Sequence, residues 1–394
     1  MTKKIKASIK QDTRLVTSGR DPQAFHGFVN PPVYHASTLL YPTAEDQVAH
    51  RARYSYGRRG TPTSEALENA LRELDGEACA GVALLPSGLA AISAALLATA
   101  GAGDHILVTD SVYRPTRNFC NGVFKRLGVE TTYYDPLIGA GIAKLFKTNT
   151  RVVFVEAPGS QSFEMQDIPA IAKVAHEKGA IVLMDNTWAT PLFFRAFEKG
   201  VDMQIQAGTK YIGGHSDIMF GCVSANAATL TRLKDTVYTM GLCVGPDDMY
   251  LAQRGLRTLG VRLARHYQSG MQIARWLEQR PEVLRVMHPA LERDPGHAIW
   301  KRDFTGACGL FSIVLKPTSE KSVHAFLNEL SLFGLGYSWG GFESLAILFD
   351  CAEYRTATTW APGGPTVRFH IGLENPEDLI ADLERGFSAL AASK

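Results

Sequence analysis

Asp185 stands immediately after the apolar run Ile181-Val182-Leu183-Met184, and Lys210 stands just past a second strand-like run at 201–206. An acid and a lysine brought to the ends of neighbouring strands are the two groups that pyridoxal phosphate (PLP) chemistry needs most. The lysine amine joins the cofactor aldehyde, and the carboxylate keeps the pyridine nitrogen protonated so that the ring accepts electrons. Most lysines are solvated surface charges, but Lys210 lies between an apolar run and Tyr211-Ile212-Gly213-Gly214. Partial burial there lowers the amine pKa and frees it for attack. Asp185 taken alone could equally cap the turn that follows it.

Such a cofactor also needs a phosphate cradle. Ser87-Gly88-Leu89 opens an Ala-rich helix, whose first backbone N–H groups, Gly88 and Leu89, point toward an anion with the helix dipole behind them. Helix caps use the same residues, so the signal is weak by itself. Thr209 places a hydroxyl beside Lys210, and Tyr56-x-Arg58-Arg59 offers a phenol and guanidinium forks suited to phosphate or carboxylate. Tyr113 follows the strand-like run 105–109, where a ring can stack on a flat cofactor with its hydroxyl near the reacting carbon. Arg368 interrupts the otherwise apolar stretch Thr-Val-Arg-Phe-His-Ile and requires an anionic partner, which a substrate α-carboxylate supplies. Ser338-Trp339-Gly340-Gly341 is a turn that could line the same pocket.

The elements that must position these residues form an alternating series. Strand-like runs at 105–109, 129–134, 152–156, 181–184, 201–206 and 218–224 are separated by helical patterns such as 115–127 and 168–178. That alternation predicts an α/β fold with a mostly parallel central sheet, whose sites lie beyond the carboxyl ends of the strands. Thr61-Pro62 reads as the start of a helix with Leu67, Ala70, Leu71 and Leu74 on one face. A long helical stretch at about 248–279 leads into short strands (309–315, 366–371) and helices (320–330, 376–390), the pattern of a smaller α+β C-terminal domain. Residues 1–60 are irregular but rich in tyrosine, as suits an arm packed on another subunit. The expected division is an arm at 1–60, a cofactor-binding domain at 61–256 and a C-terminal domain at 257–394.

Composition excludes several alternatives. With 394 residues, 45% hydrophobic, 20% charged and a formal net charge of +2, the chain has the make-up of a soluble protein without nucleic acid or membrane as partner. Six scattered cysteines without a Cys-x-x-Cys indicate free thiols in the cytoplasm. The lysines at 3, 4, 6 and 10 precede no apolar run, so no signal peptide is expected. The charge-free stretch 78–103 is long enough to span a bilayer, but Pro86-Ser87-Gly88 breaks it and its remainder suits a buried helix. Gly139-Ala-Gly141 lacks the third glycine of a dinucleotide loop, and no histidine spacing suits a metal.

Taken together, Tyr56-Gly-Arg58-Arg59-Gly-Thr, Asp185-Asn-Thr-Trp188, Thr209-Lys210-Tyr-x-x-Gly-His-Ser-Asp217, Arg254 to Arg262 and Tyr337-Ser-Trp-Gly-Gly resemble the Cys/Met-metabolism family of PLP enzymes over essentially the whole chain. The resemblance implies the PLP-dependent transferase-like fold (fold type I) and a homotetramer built as a dimer of dimers with shared active sites. It implies that Lys210 binds PLP, Asp185 pairs with the ring nitrogen and Tyr113 stacks on the ring. Gly88, Leu89 and Thr209 then hold phosphate together with Tyr56 and Arg58 of a neighbouring subunit. Ser338 and Arg368 receive the α-carboxylate beside Trp339, and Arg59 with Asp235 or Tyr238 contacts the distal end of the substrate. The implied activity is β-elimination of L-cystathionine to homocysteine, pyruvate and ammonia, with γ-elimination, γ-replacement or cysteine desulfhydration as alternatives. Many family members carry serine three residues before the lysine, where this chain has Ala207.

Overall fold

A computed structural model describes residues 9–393. Lys3, Lys4 and Lys6 of the basic start therefore lie outside the described residues. Seven strands form the central sheet: β1 (Gly81–Leu85), β2 (His105–Thr109), β3 (Glu130–Tyr134), β4 (Thr150–Glu156), β5 (Ile181–Asp185), β6 (Met203–Gln206) and β7 (Gly221–Ala225). Their spatial order is β1-β7-β6-β5-β4-β2-β3, parallel except for β7, which runs antiparallel to both β1 and β6. Val182, Leu183 and Met184 of β5 are fully buried, as expected of a strand covered on both faces. Each such side chain contributes about 1.5–3 kcal/mol by leaving water.

The charge-free stretch resolves into β1, a turn at Pro86-Ser87, and the helix Gly88–Leu97. Among the described residues no helix is long and apolar enough to cross a membrane. The segment read as one helix at 115–127 begins as the helix Arg114–Phe119 and widens into a π turn over Cys120–Phe124. The helix Pro62–Asp75 starts at a capping box, with the Thr61 hydroxyl accepting from Ser64 N and the Ser64 hydroxyl accepting from Thr61 N.

A second sheet follows, with β8 (Val283–Met287), β9 (Leu310–Leu315), β10 (Gly334–Leu335), β11 (Leu345–Phe349) and β12 (Thr366–His370) in the order β10-β11-β12-β9-β8. Between the sheets runs the 32-residue helix Pro246–Leu277, which passes residue 256 without a break. Two ionic clusters, one buried and one part-buried, tie the β11–β12 connection to the first sheet and the loop after β4. Asp110, past the end of β2, accepts the backbone N–H groups of Thr356, Ala357 and Thr358 and pairs with Arg117 at 2.6 Å. Arg355 donates to Glu164 and Ser162. Residues at the ends of the two sheets are thereby held in one frame.

Candidate active site

Because β4, β5 and β6 are parallel, their carboxyl ends open on the same rim. Asp185 ends β5, and Lys210 lies in the turn that follows β6. The Asp185 carboxylate accepts from the Thr187 amide at 3.0 Å and from its hydroxyl at 2.6 Å. The same hydroxyl accepts the Ala207 amide at 2.9 Å, so Thr187 couples the acid to the lysine loop. Burial raises the Asp185 pKa, opposed by the Thr187 hydrogen bonds and the charge of Lys210. A buried carboxylate of this kind needs a cationic partner.

Lys210 donates from Nζ to Ser338 Oγ at 2.6 Å, and its ammonium lies 5.4 Å from the centre of the Trp339 ring. Burial and the nearby Arg368 lower its pKa to about 8, with Asp185 acting in the opposite sense. The turn carrying Ser338 and Trp339 presses against the lysine. Gly340 has φ +91°, and a Cβ on it would lie 2.9 Å from Lys210 backbone atoms. Only glycine meets both conditions at once. Behind it, His370 Nε2 lies 3.1 Å from both Gly340 N and Gly341 O.

Arg368 stands on β12, 7% exposed. It donates from Nη2 to Tyr337 O at 2.7 Å, while its Nε is buried with no hydrogen-bond partner. Burial lowers its pKa to about 10, partly offset by Tyr113 and Tyr211. No ion pair to Arg368 occurs among the described residues. A buried guanidinium left half-satisfied is a receptor for a carboxylate. Tyr113, a residue 43% exposed, lies at the N-terminus of the helix Arg114–Phe119. Its amide donates to Glu156 Oε2 at 2.8 Å. Burial raises its phenol pKa, with Asp185 and Glu156 adding to the rise and Arg368 opposing it.

The helix Gly88–Leu97 aims its N-terminus at this rim. Ser87 Oγ accepts Ala90 N and Ser87 O accepts Ala91 N, which leaves the Gly88 and Leu89 amides at the tip. A Cβ on Gly88 would meet the Ala207 Cβ at 2.5 Å, so this close approach requires glycine. Thr209 is engaged within the chain. Its hydroxyl donates to Phe220 O and accepts Phe220 N, both at 3.0 Å, and must release Phe220 O to donate to a phosphate. Tyr56, Arg58 and Arg59 stand apart. Arg58 donates to Tyr238 O at 2.6 Å and Arg59 lies over the Tyr238 ring at 5.6 Å. Within the chain none of the three bonds to Lys210, Asp185, Tyr113 or Arg368, and Asp235 is likewise not brought to them.

Glu156 was missed by sequence reasoning. It ends β4 in direct register with Asp185. A polar residue closing an apolar strand run was the available signal, and it reads the same as an ordinary strand end.

The donor set fits PLP: a depressed lysine, a buried acid, free amides at a helix tip for a phosphate, and an exposed ring face. A parallel α/β sheet bearing these groups at its strand ends defines a PLP-dependent enzyme, and the chain belongs to the Cys/Met metabolism PLP-dependent enzyme family, which matches residues 12–388. It is 56% identical over 385 residues to a putative cystathionine beta-lyase of Rhizobium johnstonii, covering 97% of this chain and 96% of that one. It is 47% identical over 394 residues to the cystathionine beta-lyase of Salmonella typhimurium, covering 96% and 98%. The crystal structure of metB from Corynebacterium glutamicum superposes with a TM-score of 0.90 at 30% identity, covering 98% of this chain and 99% of that one.

Proposed function

We propose that this protein is a carbon–sulfur lyase acting by β-elimination on L-cystathionine, releasing homocysteine, pyruvate and ammonia as a step of methionine biosynthesis. The observation that carries the substrate class is Arg368, a buried guanidinium without an anion, next to a lysine of lowered pKa. The names borne by the relatives support the bond that is broken.

Lys210, Asp185, Tyr113, Gly88, Leu89 and Thr209 would hold PLP, which when bound supplies an electron sink for charge developing at Cα. Arg368 and Ser338 receive the α-carboxylate and so fix which Cα bond faces the lysine. With PLP bound, Lys210 Nζ would be placed to take the Cα proton, and a pKa of about 8 leaves a sizeable neutral fraction of the amine at mildly alkaline pH. Asp185 keeps its charge facing the site, held by Thr187. Loss of the Cα proton and the Cβ–S bond yields homocysteine, and water converts the remaining three-carbon unit to pyruvate and ammonia.

The reading extends to assembly. Phe28, Val29, Leu40 and Val48 of the arm are exposed apolar residues, and Tyr56 is 44% exposed. A homotetramer would cover them, with Tyr56 and Arg58 completing the phosphate site of a neighbouring subunit. Residues 1–60 are then the arm, 61–256 the cofactor domain and 257–394 the C-terminal domain, in a cytoplasmic enzyme. Incubation with L-cystathionine tests the chemistry. Pyruvate with homocysteine is expected, whereas 2-oxobutyrate with cysteine overturns β-elimination in favour of γ-elimination.

A further inference from the structure

The ends of β4 and β5 carry two carboxyl groups side by side. Glu156 and Asp185 are register partners in a parallel pair, so their side chains leave the sheet on the same face. Glu156 Oε2 accepts the Tyr113 amide at 2.8 Å, while Asp185 takes both of its hydrogen bonds from Thr187. The two acids thus serve different elements. Asp185 is tied through Thr187 to the lysine loop, and Glu156 is tied to the residue whose ring borders the site.

Two carboxylates this close do not both stay ionised without a cation between them. The charged group facing Glu156 is Asp185 from β5; the Tyr113 amide at the helix start is a neutral donor, and Arg368 acts on the Tyr113 phenol from β12. Asp185 has Lys210 and the Thr187 donors in its favour, whereas Glu156 has one neutral amide. The proton therefore belongs on Glu156, in accord with burial and Asp185 together driving its pKa well above the carboxylate range.

We propose that Glu156 is a positioning residue that, as a neutral acid, seats the Tyr113 backbone and leaves Asp185 as the single negative charge facing the cofactor nitrogen. This rests on Tyr113 being the residue that stacks on the ring. A neutral acid has a close isostere in glutamine, whose carbonyl still accepts the Tyr113 N–H. Alanine removes the seat altogether.

The test uses the PLP-loaded enzyme and its Glu156→Gln and Glu156→Ala variants, following the visible absorption band with pH and the dissociation of PLP on dialysis. Glu156→Gln should keep the pH midpoint of the band and hold PLP within about threefold of the parent. Glu156→Ala should lose PLP about tenfold more readily, as expected where a buried amide is left unsatisfied. A midpoint moved by about one unit or more in Glu156→Gln would mean an ionised Glu156 and overturn the proposal. Unchanged PLP retention in Glu156→Ala would overturn the seating of Tyr113. Neither readout needs a substrate, so failure of the lyase assay is a separate result. Tyr113→Ala with an unaltered band and PLP affinity would sink the stacking premise itself.

Discussion

Lys210 Nζ and Ser338 Oγ lie 2.6 Å apart, joining the loop after β6 to a turn of the second sheet. The amine and the Arg368 guanidinium are therefore set by one another, since Arg368 holds Tyr337 O one residue before Ser338. Lys210 has its pKa lowered from 10.5 to about 8, first by burial and then by Arg368. In enzyme stripped of cofactor, PLP capture should rise with pH to a midpoint near 8 rather than near 10.5. Arg368→Leu should move that midpoint upward by removing the like charge. The capture rate followed by absorbance checks both, and a midpoint unchanged in the variant would show that burial acts alone.

Asp185 and Lys210 were visible because strand ends are legible: an apolar run followed by an acid or a lysine states its own position. What surrounds the pair was not legible. Glu156 closes its strand as many solvated residues do, and only the β4–β5 register shows that it faces Asp185. β1 was hidden in the small apolar residues before Pro86, where no periodicity separates strand from helix. The Asp110 cluster joins residues about 246 positions apart, a contact that no local pattern encodes. The engagement of Thr209 by Phe220 likewise depends on tertiary pairing.

Gly88 and Ala207 test the phosphate cradle. Gly88→Ala brings its Cβ within 2.5 Å of the Ala207 Cβ, which forces the helix tip away from the lysine loop. A loss of about 1–3 kcal/mol in PLP affinity or stability is expected from such overpacking. PLP retention on dialysis together with thermal melting measures it, and full retention would refute the close approach.

Asp110 should behave as an anchor between the two sheets. Burial pushes its pKa up, but the hydrogen bonds from Thr356, Thr358 and Arg117 outweigh that and hold it below the usual value. Its contribution to stability is thus present above the unfolded pKa and lost as pH falls through the folded one. Asp110→Ala also strands the buried Arg117, at a cost of about 3–5 kcal/mol. Hydrogen exchange should show residues 351–362 opening first, and uniform loss of protection across both sheets would argue against a local anchor.

Asp75 predicts the opposite dependence. It accepts Gln204 Nε2 at 2.5 Å and the Ser224 hydroxyl, and Gln204 in turn accepts Asn186 Nδ2 at 2.6 Å beside Asp185. Burial raises its pKa from 3.8 to about 7, with Ser224 and Gln204 resisting. A raised folded pKa means that the protonated form is favoured on folding. Its contribution is full below about 4 and is lost as pH rises through about 7. Comparing Asp75→Asn with the parent in urea, the variant should gain relative stability from pH 4 to 7 and none above. A difference independent of pH would mean that Asp75 is ionised throughout.

Arg59 addresses selectivity for a substrate with two amino-acid ends. Its guanidinium rests over the Tyr238 ring at 5.6 Å, while its neighbour Arg58 is committed to Tyr238 O. A stacked guanidinium keeps its in-plane N–H groups free for a carboxylate, which a committed one does not. If a neighbouring subunit presents Arg59 to the distal end of cystathionine, Arg59→Ala should raise KM for cystathionine by about tenfold, the worth of one exposed charge-assisted contact. KM for a thioether with a single carboxylate should hardly change, and kcat should be preserved for both because the proton transfer at Lys210 is untouched. Steady-state kinetics on the two substrates decides the matter: equal increases in KM would assign Arg59 to assembly rather than to recognition.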